Sequence, residues 1–83
     1  MKLRYFAWVR ERIGKAEEEL DLPAHVATTT DLLVWLKGRG EEYEWALEKA
    51  EFIRVAVDQA HAGPGTPLAG IREVALFPPM TGG

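Results

Sequence analysis

Apolar and polar residues alternate with a period of two in four short stretches of this chain, and a fifth stretch carries an apolar stripe at helical spacing. In residues 2–7, Leu3, Tyr5 and Ala7 share one side and Lys2, Arg4 and Phe6 the other, which predicts a strand with one aromatic on its mostly polar face. Val9 and Ile13 predict one helical turn over residues 8–13, ended by Gly14 as a left-handed cap. Residues 15–22 alternate again, with Ala16, Leu20 and Leu22 on one side and Glu17, Glu19 and Asp21 on the other; Glu18 interrupts the apolar side. Lying between Gly14 and Pro23, this stretch reads as an edge strand guarded by charge and paired with the first as a hairpin.

The helical stripe is Leu32, Leu33 and Leu36 with Trp35 beside them. Thr29 or Thr30 is the expected N-cap, Asp31 suits the positive end of the dipole, and Gly38 and Gly40 stop the helix. A shorter helix is expected over residues 41–48, with Trp45 toward the core and Glu44 and Glu48 outside. Trp8 is likewise expected in the core. Ile53, Val55 and Val57 then mark a strand over residues 52–57. A breaker-rich loop, Ala62-Gly63-Pro64-Gly65-Thr66-Pro67, leads through a turn at Leu68-Ala69-Gly70 to a last strand over residues 72–77. Two hairpin-like pairs with a helix across one face give an α+β architecture. In the simplest such fold the first and last strands are central, parallel neighbours. Val74 and Leu76 then face the helix, and Phe6 and Phe77 meet with Met80 nearby on the open sheet face. A register shift of one residue reverses those faces. As placed, they make an exposed apolar patch of the kind that marks a partner surface.

Composition narrows the function. With 83 residues, one domain over residues 1–77 is expected, with too small a core for a deep internal active site. The net charge of −3, from 10 basic and 13 acidic residues, argues against nucleic acid as a partner. No apolar run reaches the roughly 18 residues that span a bilayer, and the start of the chain lacks a signal-peptide core, so no membrane is expected and a cytoplasmic location is. The chain has no cysteine, which excludes disulfides, thiolate metal sites and cysteine nucleophiles. His25 and His61 are isolated from other ligands, so no metal is expected.

The ending Pro78-Pro79-Met80-Thr81-Gly82-Gly83 stands apart from the rest. Prolines stop the last strand from extending its ladder and favour a stiff, extended path. Gly82 and Gly83 have no side chains, so the tip is thin and flexible. Residues 78–83 are expected to be an extended tail, shaped for insertion into another protein. A bare Gly-Gly by itself also fits a frayed end.

With Phe6, Ala7, Arg10, Glu11 and Gly14, then Arg54-Val55-Ala56-Val57-Asp58, then Glu73-Val74-Ala75-Leu76-Phe77 before the tail, the chain resembles the small subunits of molybdopterin synthase over its whole length. The Phe-Pro-Pro-x-Thr-Gly-Gly ending is the specific part. The resemblance departs at Asp58, where the family often has Asn, and at Gly70-Ile71-Arg72-Glu73, where it often has Gly-Asp-Glu. It implies a ubiquitin-like β-grasp fold with a mixed sheet of four to five strands, one main helix and a short second one.

It also implies a cycle in which the chain is a sulfur carrier for molybdenum cofactor biosynthesis and not itself an enzyme. A ubiquitin-activating-like adenylyltransferase uses ATP to adenylate the Gly83 carboxylate, and a sulfur donor protein converts it to a thiocarboxylate. The tail, Pro78, Pro79, Met80, Thr81, Gly82 and Gly83, enters the large synthase subunit and gives sulfur to cyclic pyranopterin monophosphate. Phe6 and Phe77 are the expected partner-binding residues, two small and two large subunits form the synthase, and no cofactor is bound by the carrier. This chemistry needs no cysteine on the carrier: an acyl-adenylate supplies the leaving group a carboxylate lacks, and the resulting thiocarboxylate is a sulfur nucleophile. Related sulfur carriers for thiazole synthesis or tRNA thiolation, a ubiquitin-like protein modifier joined to lysines through Gly83, and a plain binding module remain the alternatives.

Overall fold

Strand β1 (Lys2–Tyr5) lies parallel to strand β5 (Glu73–Phe77), with Leu3 opposite Val74 and Tyr5 opposite Leu76. The computed structural model describes residues 1–79. Around that parallel pair, β2 (Glu17–Glu19) adds antiparallel to β1, β3 (Arg54–Val57) antiparallel to β5, and β4 (Ala60–Ala62) antiparallel to β3. The sheet order is β2-β1-β5-β3-β4. Helices α1 (Ala7–Ile13), α2 (Thr29–Lys37) and α3 (Glu41–Ala46), with a short 3-10 turn at Ala50–Phe52, complete the chain. The expected α+β, ubiquitin-like arrangement is present, with the first and last strands as parallel neighbours.

The period-two faces sort the core as read except at Ala7, which is exposed and opens α1 instead of continuing the strand. Leu3, Tyr5, Val74 and Leu76 are almost fully buried against Val9, Ile13, Leu32 and Leu36. Gly14 ends α1 at φ 90, and its amide donates to the Arg10 carbonyl at 2.8 Å, a conformation that a Cβ would strain.

Several elements differ from expectation. The edge strand is three residues long rather than the expected eight, because β1 itself has only four residues and past Glu19 only Met1 is left to pair, its carbonyl accepting from the Leu20 amide at 2.9 Å. The cap of α2 is Thr28, earlier than expected: its hydroxyl accepts from the Asp31 amide at 3.2 Å, and the Asp31 carboxylate accepts from the Thr28 amide at 3.1 Å. Thr29 is instead buried, its hydroxyl donating to the Gly63 carbonyl at 2.9 Å and so fastening the breaker-rich loop to the helix. Strand β4 lies where no strand was expected. It follows a turn in which Asp58 and Gln59 both have positive φ, 47 and 71. Asp58 Oδ1 accepts from the amides of Arg72 and Glu73, each at 3.0 Å, and so ties this turn to the start of β5.

Trp45 does not face the core; it is 53% exposed, and Tyr43, Ala46 and Leu47 are buried instead. These lie at i, i+3 and i+4, the stripe that a short helix buries. Trp8 is only partly buried, packed against the edge of the core.

Glu18, which interrupts the apolar side of its stretch, turns inward. Its Oε2 accepts from the Tyr5 hydroxyl at 2.7 Å and from the Tyr43 hydroxyl, while Oε1 lies 3.3 Å from Arg39 and 3.4 Å from Lys15. Burial opposes its ionisation, but the bonds from Tyr43, Tyr5 and Arg39 outweigh it and hold the carboxyl below its usual range. Burial, then the bond to Glu18, raises both tyrosines. One carboxylate thus links β1, β2, α3 and the end of α2.

Candidate functional site

The C-terminal tail begins where β5 stops. Phe77 is the last residue of that strand, and Pro78 and Pro79 follow it half-buried. They form one side of an open hollow of about 810 Å³, lined by Phe6, Ala7, Trp8, Phe52, Phe77, Pro78 and Pro79. Every lining residue is apolar, and none belongs to the fully buried core.

Each side chain is placed by a local backbone feature. The Phe6 amide donates to the Leu76 carbonyl at 3.1 Å, continuing the parallel ladder one residue past β1. Ala7 then takes φ 52, which turns the chain sharply from strand to helix. The Phe6 carbonyl accepts from the amides of Val9 and Arg10 and so starts α1. Phe6 thereby remains on the strand side at 37% exposure, while Trp8 projects from the first turn of the helix. Phe52 ends the 3-10 turn at 50% exposure, with its neighbour Ile53 buried.

Cationic side chains hold these rings. The Arg4 guanidinium lies 5.3 Å from the Phe6 ring centre, and Arg12 lies 4.8 Å from Trp8 and 4.7 Å from Trp45. The His61 ring meets Phe77 edge-on at 5.7 Å, the two planes 76° apart. Arg12 also donates to the Trp45 carbonyl at 3.0 Å, which explains how a large aromatic keeps a fixed place outside the core.

Of the residues singled out in the sequence, Phe6, Phe77, Pro78 and Pro79 come together at this hollow. Met80, Thr81, Gly82 and Gly83 lie outside the described residues. Phe52 and Trp8 were not anticipated here. Phe52 carried a signal: with Ile53, Val55 and Val57 facing inward, alternation puts Phe52 on the opposite side. Among the described residues no group of three or more His, Asp or Glu side chains is placed to hold a metal ion, and no helix is long and apolar enough to cross a membrane.

The ThiS family model matches residues 3–83, from the first central strand through the tail. This chain belongs to the ThiS family. It is 36% identical over 86 residues to a molybdopterin synthase sulfur carrier subunit of Caenorhabditis elegans, covering 100% of this chain and 96% of the relative. It is 32% identical over 83 residues to the protein of that name from Escherichia coli (strain K12), covering 100% of this chain and 99% of the relative. In structure it is similar to small archaeal modifier protein 1 of Haloferax volcanii, with a TM-score of 0.73 and 29% identity over 96% of this chain and 97% of that one. The resemblance read from the Phe-Pro-Pro-x-Thr-Gly-Gly ending and its accompanying residues is therefore upheld, as is the β-grasp fold.

Proposed function

We infer that this ThiS-family chain is a sulfur carrier for molybdenum cofactor biosynthesis, and that Gly83 carries the sulfur. The supporting observation is the full-length similarity to molybdopterin synthase sulfur carrier subunits in a chain whose tail leaves from an apolar hollow. An activating enzyme joins the Gly83 carboxylate to AMP, with pyrophosphate leaving ATP. The terminal sulfur of a donor protein's persulfide then displaces AMP to give an acyl disulfide; a second thiol of the donor cleaves its S–S bond, leaving a thiocarboxylate on Gly83 and a disulfide on the donor, and the thiocarboxylate enters the large synthase subunit and transfers sulfur to the pterin precursor. The carrier contributes reach, fit and docking, while its partners supply the catalytic groups. It binds no cofactor of its own, and two copies work with two large subunits in a cytoplasmic complex.

Phe6 and Phe77 dock the body while residues 78–83 cross to the reacting centre, a reach of about 20 Å when extended. Ordering this tail costs roughly 1–2 kcal/mol per residue of backbone entropy. Pro78 and Pro79 lower that cost by limiting the free chain.

Intact-mass measurement tests this reading. After incubation with the activating enzyme, ATP and a sulfur donor, the full chain is expected to exchange one Gly83 oxygen for sulfur. A chain that keeps its original mass under those conditions contradicts the proposal. The likeness to small archaeal modifier protein 1 favours a second reading, attachment of Gly83 to lysines of other proteins, for which the same spectra would show conjugates of higher mass.

A further inference from the structure

We propose that His61 is a positioning residue for the tail: its ring, reaching over Ala56, anchors Phe77 and so orders the point at which the tail leaves the sheet. Its effect on the reaction rests on the sulfur-carrier reading. Phe77 ends β5, and Pro78 and Pro79 follow it directly. The last residue of a strand frays unless its side chain is held. The partner of Phe77 on the neighbouring strand is Arg54, a long and exposed side chain. The ring that holds Phe77 comes instead from one strand further out.

His61 belongs to β4 and Phe77 to β5, with β3 between them. Adjacent strands lie about 4.8 Å apart, so these two are separated by about 10 Å. Their ring centres are nevertheless 5.7 Å apart, with the planes at 76°. Both rings therefore lean inward over β3. Ala56 is the residue they lean across: it pairs with His61 on one side and with Ala75 on the other, which leaves Phe77 diagonal to it. Ala56 is 9% exposed, yet it does not belong to the core cluster under the helices. Val55 does belong to that cluster, so alternation turns Ala56 to the open face. The two rings are its cover there, and a side chain longer than a methyl would hold them apart.

His61 is exposed on a three-residue edge strand, outside the packed core. Edge-to-face contact is a favoured arrangement of two aromatic rings, and here each ring restrains the other. Entry of the tail into a partner costs backbone entropy, and a root that is already ordered leaves less to lose. His61 thus lowers the cost of tail entry without touching the reacting atoms.

Kinetics and NMR of the full chain test this. The activating enzyme's ATP–pyrophosphate exchange, driven by adenylation of Gly83, is measured with the carrier as the varied substrate. His61→Ala is expected to raise KM by about threefold or more and to leave kcat within about twofold, because the enzyme itself orders the tail once it is bound. Ala56→Val, which keeps His61 but separates the rings, is expected to do the same. His61→Phe retains an aromatic edge and is expected to bring KM back to within about twofold of the parent. In aromatic 1H–13C spectra the Phe77 ring signals of His61→Ala and Ala56→Val are expected to move toward those of free phenylalanine, while those of His61→Phe stay dispersed. Circular dichroism checks the fold of each variant, and His61→Ala decides alone if Ala56→Val does not fold. A smaller rise in KM for folded His61→Ala, a KM for His61→Phe as high as for His61→Ala, or a fall in kcat larger than the rise in KM overturns the positioning role. A parent-like KM in folded Ala56→Val overturns the reach over Ala56. Phe77 signals unchanged in His61→Ala overturn the anchor itself, whatever the kinetics. A parent that undergoes exchange but gains no sulfur from a donor removes the carrier reading and leaves this proposal standing, and a parent without exchange removes both.

Discussion

The amide of Phe6 donates to the carbonyl of Leu76 at 3.1 Å, one residue beyond β1 and one before the end of β5. This bond sets the first aromatic of the hollow beside the strand that carries the tail. A contact between distant parts of the chain thus becomes a fixed feature of the sheet. The core strands supply the rigidity, and the tail's docking surface inherits it.

Phe77 closes that surface from the other strand. Replacing it with aspartate puts a charge into an apolar hollow, at the position paired with Arg54. Phe77→Asp is expected to weaken binding of the large synthase subunit by about thirtyfold or more. Calorimetric titration beside the parent chain measures this, and unchanged affinity would take Phe77 out of the interface.

Ala7 holds φ 52 between the strand and α1. A left-handed residue with a Cβ carries a cost of about 1–2 kcal/mol, and glycine relieves it while losing some helical preference. Ala7→Gly is expected to leave stability level or raise it by up to about 1 kcal/mol, and Ala7→Val to lower it by about 1–2 kcal/mol or more. Urea unfolding at constant slope separates the two. A valine variant as stable as the parent would contradict the strain at this turn.

Glu18 has its carboxyl held below the ordinary value of 4.5 by Tyr43, Tyr5 and Arg39, against the effect of burial. A group with a lowered folded-state pKa binds protons less readily when folded, so its stabilisation is present above the unfolded value and is lost as pH falls through the folded one. Thermal melts are therefore expected to weaken from near pH 4.5 downward in the parent. Glu18→Gln is expected to be less stable at neutral pH and to lose part of that acid dependence. Parallel melting curves for both proteins across this range would argue against the network.

Asp58 Oδ1 accepts from two amides, of Arg72 and Glu73, while its backbone sits at φ 47. Asparagine keeps a side-chain acceptor and tolerates that conformation, whereas alanine has no acceptor and tolerates it less well. Asp58→Asn is expected to change stability by less than about 0.5 kcal/mol, and Asp58→Ala to lower it by about 1–2 kcal/mol. Chemical denaturation measures both. This accounts for the departure from the family's usual asparagine: the acceptor is retained at the turn.

Thr28→Ala removes the hydroxyl that accepts from the Asp31 amide and is expected to cost about 1 kcal/mol. The equivalent change at Thr30, with its hydroxyl bound to the Gly65 amide, is expected to loosen the loop rather than the helix start. Hydrogen exchange at the Asp31 and Gly65 amides distinguishes these effects.

Alternation in the central strands was enough to identify Leu3, Tyr5, Val74 and Leu76 as core and to leave Phe6 outside, because a strand's period is local and its two faces follow from the chain itself. The tail's residue types and their order likewise pointed to the small subunits of molybdopterin synthase without reference to any contact. Tertiary structure alone decided that Trp45 stays outside while Tyr43 and Ala46 go in, that Glu18 becomes the centre of a partly buried polar cluster, and that Ala60–Ala62 finds a strand partner. It also brought Phe52 and Trp8 beside Phe6 and Phe77. Short elements carry too few residues to settle which side is buried, and a polar residue enters the core only when partners from other elements satisfy it. Both conditions are met by chain segments far apart in sequence, which no local pattern encodes.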